Sequence, residues 1–318
     1  MGAALFMWGY MLDLSIVVVT WNVRDLLKEC LESIYQSAQG MTIEVIVVDA
    51  ASTDHSAAMV RNSFPAAHLI ECDSNVGFSK GNNLGIEVSQ GRYVLLLNPD
   101  TRVIGSALNE MVAYMDAHPT IGVIGPQLLN ADGTVQSSRR RFPTLWTGIF
   151  ESTWLQPIAP RRVLDRYYML DFSDNQIVSV DWVFGAAFLV RRQVIDQVGG
   201  FDEGFFMYSE EVDWQKRIKQ AGWQIVYYPG AQIVHYGGRS SDQVIAERHI
   251  HFQTSKVRYF GKHHGPLAGA FMRFYLLAHY VWQLALEALK GLLGHERQLR
   301  KERVRAYWQV LRSGLKGS

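Results

Sequence analysis

The carboxylates are the residues of this sequence best suited to chemistry, and Asp100 is the most exposed to inference. It follows residues 93–97, a continuous apolar run that reads as a buried strand, and the intervening Pro99 cannot continue a ladder. Ligands of open α/β sheets bind beyond the carboxyl ends of the strands, so Asp100 is delivered to where a metal ion or phosphate would sit. The competing reading is an Asp that caps a helix beginning near Gly105. A second group, Ser209-Glu210-Glu211-Val212-Asp213, holds three carboxylates within four residues. A Ser cap and acids in the first turn explain this group by helix electrostatics alone. Crowded carboxylates beside aromatic residues also raise one another's pKa, which suits a general base.

These groups need a scaffold, and the front half of the chain alternates strand and helix. Residues 14–19 form a β-branched strand, and residues 25–37 an amphipathic helix with Leu26, Leu27, Cys30, Leu31 and Ile34 on one face. Further strands are expected at 43–48, 67–71 and 93–97, and further helices at 56–62 and 82–89. Repeated βα units of this length predict a parallel sheet with right-handed crossovers. Three strands end in polar residues: Thr20-Trp21-Asn22, then Asp49 with Ser52-Thr53-Asp54, then Asn98-Pro99-Asp100. Each alone reads as turn chemistry, but three at one sheet edge point to a ligand. Between the third and fourth strands, Gly77, Gly81 and Gly85 precede or enter a helix. Such glycines let a backbone approach a diphosphate at the helix N-terminus, or simply make a tight loop. The pattern is neither a P-loop nor a dinucleotide fingerprint.

Together, Val19-Thr20-Trp21-Asn22, Val47-Val48-Asp49-Ala50-Ala51-Ser52-Thr53-Asp54, the loop from Asn75 to Gly85, and Leu97-Asn98-Pro99-Asp100 resemble the ordered motifs of family 2 glycosyltransferases. They are most similar to the rhamnosyltransferase branch, over roughly residues 14–241. The resemblance implies an α/β, GT-A, Rossmann-like fold with a mostly parallel sheet and helices on both faces. It also implies Mg²⁺ or Mn²⁺ as cofactor and inversion at the anomeric carbon. Donor binding falls to Thr20, Asn22, Asp49, Ser52, Asp54, Asn75, Gly77, Gly81, Asn82, Asn98 and Asp100. Asp100 matches the last Asp of the family's D-x-D metal motif, with Asn98 in place of the first; one carboxylate plus donor phosphate oxygens suits either cation. Asp49 matches the Asp near the nucleoside, while the next position, often Asp or Asn in the family, is Ala50. In the family's Glu-Asp-x-Asp motif the base position is occupied here by Glu211, with Asp213 as the alternative. On the acceptor side stand Trp182, Gly185, Ala186 and Arg139; the small pair leaves room for a sugar ring or for close packing. His235 matches a C-terminal His that binds the metal or diphosphate, against the ordinary reading of a structural histidine.

Composition bounds the rest. A chain of 318 residues, 48% apolar and 19% charged, can bury a large core. We divide it into a catalytic domain at 1–255, with a donor half at 14–125 and an acceptor and catalytic half at 126–255, and a basic helical segment at 256–318. The formal charge of +1 hides 12 Lys/Arg against three Glu from Lys256 onward, about +9, and 19 against 27 before it, about −8. Cys30 and Cys72 lack zinc-site spacing and read as free thiols of a cytoplasmic protein. Residues 1–12 are apolar without a basic n-region or cleavage site, and Asp13 interrupts the run, so neither a signal peptide nor a spanning helix is expected; Met11 is an alternative start. Residues 138–175 are aperiodic, the mark of disorder or of a binding loop. Their Arg139-Arg140-Arg141 is either a solvated face or a grip on an anionic acceptor.

Near the C-terminus, Phe271, Phe274, Tyr275, Ala278, Trp282, Ala285, Leu286 and Leu289 share one helical stripe, punctuated by Arg273, His279, Glu287 and Lys290. This predicts a helix lying in a membrane interface. Beyond it, Arg297, Arg300, Lys301, Arg303 and Arg305 flank Val304, Tyr307, Trp308 and Leu311. The alternative is that these helices pack on the catalytic domain or form a homodimer. The expected partners are a nucleotide-sugar donor, a glycan or polyprenyl-diphosphate-linked acceptor and the inner face of the cell membrane, with no nucleic acid. A sugar-nucleotidyltransferase should carry a Gly-rich, Arg-containing loop where Thr20-Trp21-Asn22 stands, and a binding-only protein has no use for the carboxylates at 210–213.

Overall fold

The computed structural model describes residues 12–237, 244–294 and 296–316. The apolar start Met1 to Met11, and the last residues of the family resemblance at 238–241, lie outside the described residues. The front half is β1 (Leu14–Thr20), α1 (Arg24–Ser37), β2 (Ile43–Asp49), α2 (Ser56–Ser63), β3 (His68–Glu71), α3 (Gly77–Val88) and β4 (Tyr93–Leu97). After β4 come β5 (Thr101–Val103), α4 (Ala107–Ala117), β6 (Ile121–Leu129) and β7 (Val135–Gln136). A turn at Asp132-Gly133 joins β6 to β7, which pair antiparallel. Asp100 does not cap a helix, because Thr101–Val103 enters the sheet and α4 starts only at Ala107.

Residues 138–175 are neither disordered nor an open loop. They form β8 (Arg139–Arg140), α5 (Leu145–Phe150), a 3₁₀ turn (Gln156–Ile158) and α6 (Arg161–Tyr168), elements too short to show a period. Thr144 and Thr147 close a capping box at the start of α5. Then follow β9 (Val178–Ser179), β10 (Trp182–Val183), β11 (Ala187–Arg191), α7 (Arg192–Val198), α8 (Glu210–Gln220) and β12 (Gln224–His235).

The main sheet runs β3-β2-β1-β4-β11-β6-β12-β5. β1 to β4, β6 and β12 share one direction, while β11 lies antiparallel between β4 and β6 and β5 antiparallel beside β12. Successive strand residues face opposite sides, so Ile16 and Val18 pack on Leu27, Leu31 and Met111, whereas Val17 packs with Ile86, Phe188 and Trp214.

Helix α3 begins at Gly77, not at Asn82, and its glycines answer to packing. A Cβ on Gly81 would stand 2.8 Å from Val19 Cγ1, and one on Gly85 only 2.3 Å from Val17 Cγ1. The four-residue spacing is the helical repeat that lets α3 lie directly on β1.

The C-terminal helices α9 (Ile245–His264), α10 (Pro266–Leu292) and α11 (Arg297–Ser313) pack on the catalytic domain. Tyr259, Phe260, Met272, Leu276 and Tyr280 share a core with Tyr167, Trp182, Phe205 and Val212. Helix α9 runs unbroken through 255, so the expected boundary there cuts a single element. The stripe read as a membrane face is the side of α10 turned away from that core: Phe271, Phe274, Trp282 and Leu289 are all exposed.

The α3–β1 seam yields a quantitative test. Gly85→Ala overpacks Val17 and should lower unfolding free energy in urea by about 1–3 kcal/mol, and Val17→Ala in the same chain should recover part of that loss. An unchanged midpoint would show that α3 does not depend on the close approach.

Candidate active site

The carboxyl edge of β1 and β2 holds two unpartnered polar atoms. Thr20 and Asp49 are register partners at the ends of these parallel strands and therefore present their side chains on the same face. Asp49 Oδ1 accepts the Ser52 amide at 2.6 Å, but Asp49 Oδ2 and Thr20 Oγ1 are buried without a partner. The neighbouring polar residues have structural work instead. Asn22 Oδ1 accepts from the Thr53 amide at 2.7 Å, Ser52 Oγ accepts from the Asn22 amide at 3.0 Å, and Asp54 takes the amides of Arg24 and Ser56. Asn22, Ser52 and Asp54 thus stitch two loops together, and Asn22 and Asp54 border a cavity of about 410 Å³ shared with Val23, Arg24, Asp25 and Leu26.

In the expected phosphate cradle at 75–85 two of the helix-start amides are already engaged. Asn75 Oδ1 accepts from the Gly77 amide and Phe206 O from the Phe78 amide. Asn82 is buried and donates to Phe78 O within its own helix. With Gly81 spent on packing, the donor roles read for Asn75, Gly77, Gly81 and Asn82 have no support here.

At the end of β4 the turn is held from below by α1. Cys30 Sγ lies 3.6 Å from Asn98 O, and Thr101 Oγ1 donates to the same carbonyl at 2.7 Å. Burial pushes the Cys30 thiol up to about 12, so it serves as a packed, uncharged group. Asp100 is buried, with Oδ1 3.5 Å from His235 Nε2. His235 arrives at the end of β12, opposite Thr101 of β5. Its Nδ1 bonds Gln136 Oε1 at 2.7 Å; an amide oxygen only accepts, so Nδ1 carries a proton. Nε2 is thereby left facing the Asp100 carboxyl group, a pair of donors that one cation would share. Asn98 Oδ1 is also buried without a partner. This donor set fits a divalent ion that completes its shell with phosphate oxygens and water. Among the described residues no three His, Cys, Asp or Glu side chains converge, so such an ion would have few protein ligands.

The chain leaves the sheet at Phe184-Gly185-Ala186, between β10 and β11. Phe184 packs on the His235 ring with centroids 5.9 Å apart, and Ala186 O accepts from the Asn98 amide at 2.8 Å. A Cβ on Gly185 would sit 3.4 Å from the Glu211 carboxyl group, an ordinary contact, and the Gly185 backbone beside that group works to lower its pKa. Gln215 clamps α8 to the same segment through two bonds to the Val183 backbone, both 2.8 Å. Ser209 does not cap α8. Instead Tyr208 and Ser209 both adopt positive φ, 71° and 63°, a strained entry into the carboxylate run.

The carboxylates of α8 differ sharply. Burial pushes Glu211 up to about 7, against the lowering effect of its backbone hydrogen bonds, and Glu211 Oε2 has no partner. Glu210 is pushed well above the usual carboxylate range by burial and then by the charge of Glu211. Asp213 is fully buried yet held down to about 2, because His263 Nε2 and Lys262 Nζ lie 2.7 Å from Oδ1 and Arg217 Nε 3.0 Å from Oδ2. It ties α8 to α9.

Arg139 does not face an acceptor. It is buried, pairs with Asp174 at 2.6 Å, donates to Phe172 O and lies over the Tyr227 ring. Trp182 is equally internal, its indole N–H donating to Arg141 O. Gln136, Phe184, Gln215 and His263 carried no signal in the sequence, since each acts through a partner far along the chain.

The family model described as "Glycosyl transferase family 2" matches residues 15–199. An N-acetylglucosaminyl-diphospho-decaprenol L-rhamnosyltransferase of Mycobacterium tuberculosis is 29% identical over 239 residues, 72% of this chain and 77% of that protein. The rhamnosyltransferase WbbL of Escherichia coli K12 is 25% identical over 268 residues, 78% and 92% of the two chains. Among solved structures, GalNAc-T7 with UDP, GalNAc and Mn²⁺ superposes with a TM-score of 0.54 at 15% identity, covering 70% of this chain and 43% of the other. Staphylococcus aureus TarS gives 0.51 at 16%, covering 84% and 42%. The chain thus spans under half the length of either solved protein, and these likenesses bear on the fold. With more than half of its residues matched by the family model, this chain belongs to glycosyl transferase family 2.

Proposed function

We propose that the chain is an inverting, metal-dependent transferase that moves rhamnose or another 6-deoxyhexose from a nucleoside diphosphate donor to a lipid-linked glycan at a membrane face, in cell-surface polysaccharide synthesis. The carrying observation is the Phe184-Gly185-Ala186 break, which touches His235, Glu211 and Asn98 at once. The names of the mycobacterial and Escherichia coli relatives support the sugar and the acceptor class.

In this reading Thr20 Oγ1 and Asp49 Oδ2, buried and unpaired, meet polar groups of the nucleoside. Asp100 and His235, with Asn98 nearby, would hold Mg²⁺ or Mn²⁺, which neutralises charge on the departing diphosphate. Gly185 leaves the Glu211 carboxylate open to an acceptor hydroxyl. Glu211 then takes the hydroxyl proton as the oxygen attacks the anomeric carbon from the face opposite the diphosphate. Its pKa of about 7 makes the carboxylate basic enough to accept that proton near neutral pH. Asp213, ionised and saturated by its partners, anchors the helix that carries the base. The exposed face of α10 supports a location at the membrane surface.

Hydrolysis of a panel of nucleotide sugars, with and without Mn²⁺, tests the donor class: a thymidine-diphosphate 6-deoxyhexose should be preferred and the metal required. Asp100→Asn should abolish Mn²⁺-dependent donor binding in titration calorimetry without unfolding the protein, and unchanged affinity contradicts the metal assignment. Glu211→Gln should lower kcat by about 10²- to 10⁴-fold with donor affinity nearly constant.

The same substitution has an opposite effect on stability. Glu211 keeps its proton in the folded state up to a pH of about 7, whereas the unfolded chain releases it from its ordinary 4.5, so wild-type stability falls as pH rises through that window. Melting temperatures should therefore show Glu211→Gln gaining on wild type between those two values and holding a constant offset outside them. Asp213→Asn should do the reverse: it loses stability at neutral pH, and the deficit closes as pH falls from 3.8 toward 2. If Asp213→Asn shifts the midpoint of the pH–rate profile and Glu211→Gln does not, the base is Asp213.

A further inference from the structure

Three of the basic residues of α11 share one side of the helix. Arg297, Lys301 and Arg305 recur every fourth residue and form a row roughly 12 Å long at helical rise. They line a cavity of about 580 Å³ between α11 and the end of α10, whose apolar lining includes Leu292 and Val304. The acid of that cavity, Glu287, is buried and already compensated: Arg300 Nη1 lies 2.7 Å from it, Lys290 Nζ 3.4 Å and Arg303 Nη1 3.6 Å. Among the described residues no carboxylate forms an ion pair with Arg297, Lys301 or Arg305. Like charges at this spacing destabilise a helix, so the row costs stability unless an anion meets it.

The rim of the cavity is apolar and continuous with a larger surface. Leu292 is 80% exposed and Leu293 77%, and Leu289, Trp282 and Phe274 carry the exposed face back along α10. Exposed Trp154, from the segment after α5, meets Trp282 with ring centroids 6.1 Å apart, which widens that face beyond one helix. Cations in a cleft beside a broad aromatic and leucine surface match a molecule with a phosphate at one end and hydrocarbon at the other. No described helix is long and apolar enough to cross a membrane, so contact of this kind is made from the surface.

We propose that the α10–α11 groove binds the phosphate headgroup of an anionic membrane phospholipid, whose chains lie along the exposed face of α10. The proposal rests on the membrane-surface reading above and names its site. The test uses the full chain and vesicles of phosphatidylcholine with or without phosphatidylglycerol, in flotation at low salt. Wild type should float with the anionic vesicles alone, and R297E/K301E/R305E should partition about 10²-fold less, with an unchanged melting temperature. Lys301→Glu alone, at an exposed position, should give a smaller loss and serves should the triple variant fail to fold. Calorimetry with water-soluble dihexanoyl phosphatidylglycerol should show saturable binding that the charge reversals remove. If wild type floats and the charge-reversed chains float equally, the groove is not the site although the membrane reading survives. If wild type floats with neither vesicle, the membrane reading itself fails. Inorganic phosphate binding as tightly as the short-chain lipid would make the groove a phosphate site and overturn the lipid assignment.

Discussion

The insertion of β11 between β4 and β6, against the direction of both, is the constraint on which the site depends. A purely parallel sheet delivers strand ends to one edge but brings nothing back across it. Because β11 runs the other way, it begins where β4 finishes, and its lead-in residues 184–186 cross the ligand edge. Ala186 is fixed by the Asn98 amide, and Val183 by the paired bonds from Gln215. Between those anchors Gly185 has no side chain, and the Glu211 carboxyl group lies beside it. One backbone segment therefore sets the distance between the group that would carry a cation and the group that would take a proton.

Two carboxylates two positions apart on α8 are driven to opposite extremes by their surroundings. Asp213 is as buried as Glu211, yet His263, Lys262 and Arg217 keep it ionised, while Glu211 has only backbone donors against the cost of leaving water. Burial alone does not make a base; burial without a compensating cation does. The unpaired oxygens of Thr20, Asp49, Asn98 and Glu211 tell the same story in stability terms. Buried polar atoms without partners cost about 1–3 kcal/mol each, and in the proposed reading a bound donor and acceptor would supply partners for these four.

Much of this was legible in the residues. Continuous apolar, β-branched runs located β1 to β4 within a residue or so, and the arrest of β4 at Asn98-Pro99-Asp100 marked the candidate site. What stayed hidden depended on distant partners. Gly81 and Gly85 read as phosphate glycines because the sequence does not say that Val17 and Val19 lie beneath them. Arg139 looked available because Asp174, its partner, is 35 positions away. The aperiodic stretch after β7 was opaque because six- and eight-residue helices are shorter than the repeat needed to reveal them. The apolar stripe on α10 is exposed at Phe271, Phe274, Trp282 and Leu289, but the opposite face, with Met272, Leu276 and Tyr280, joins a core shared with Tyr167, Trp182 and Phe205.

The claim most open to direct contradiction is that Asp100 and His235 flank the position of a cation served by the 184–186 crossing. Anomalous diffraction at the manganese edge, from crystals grown with Mn²⁺ and a nucleoside diphosphate, addresses it without relying on turnover. The account predicts one strong peak in contact with Asp100 and His235, with the diphosphate on its far side and the Glu211 carboxylate left free of metal. A peak bound at Glu210 and Glu211, or bound diphosphate with no metal near Asp100, would contradict it.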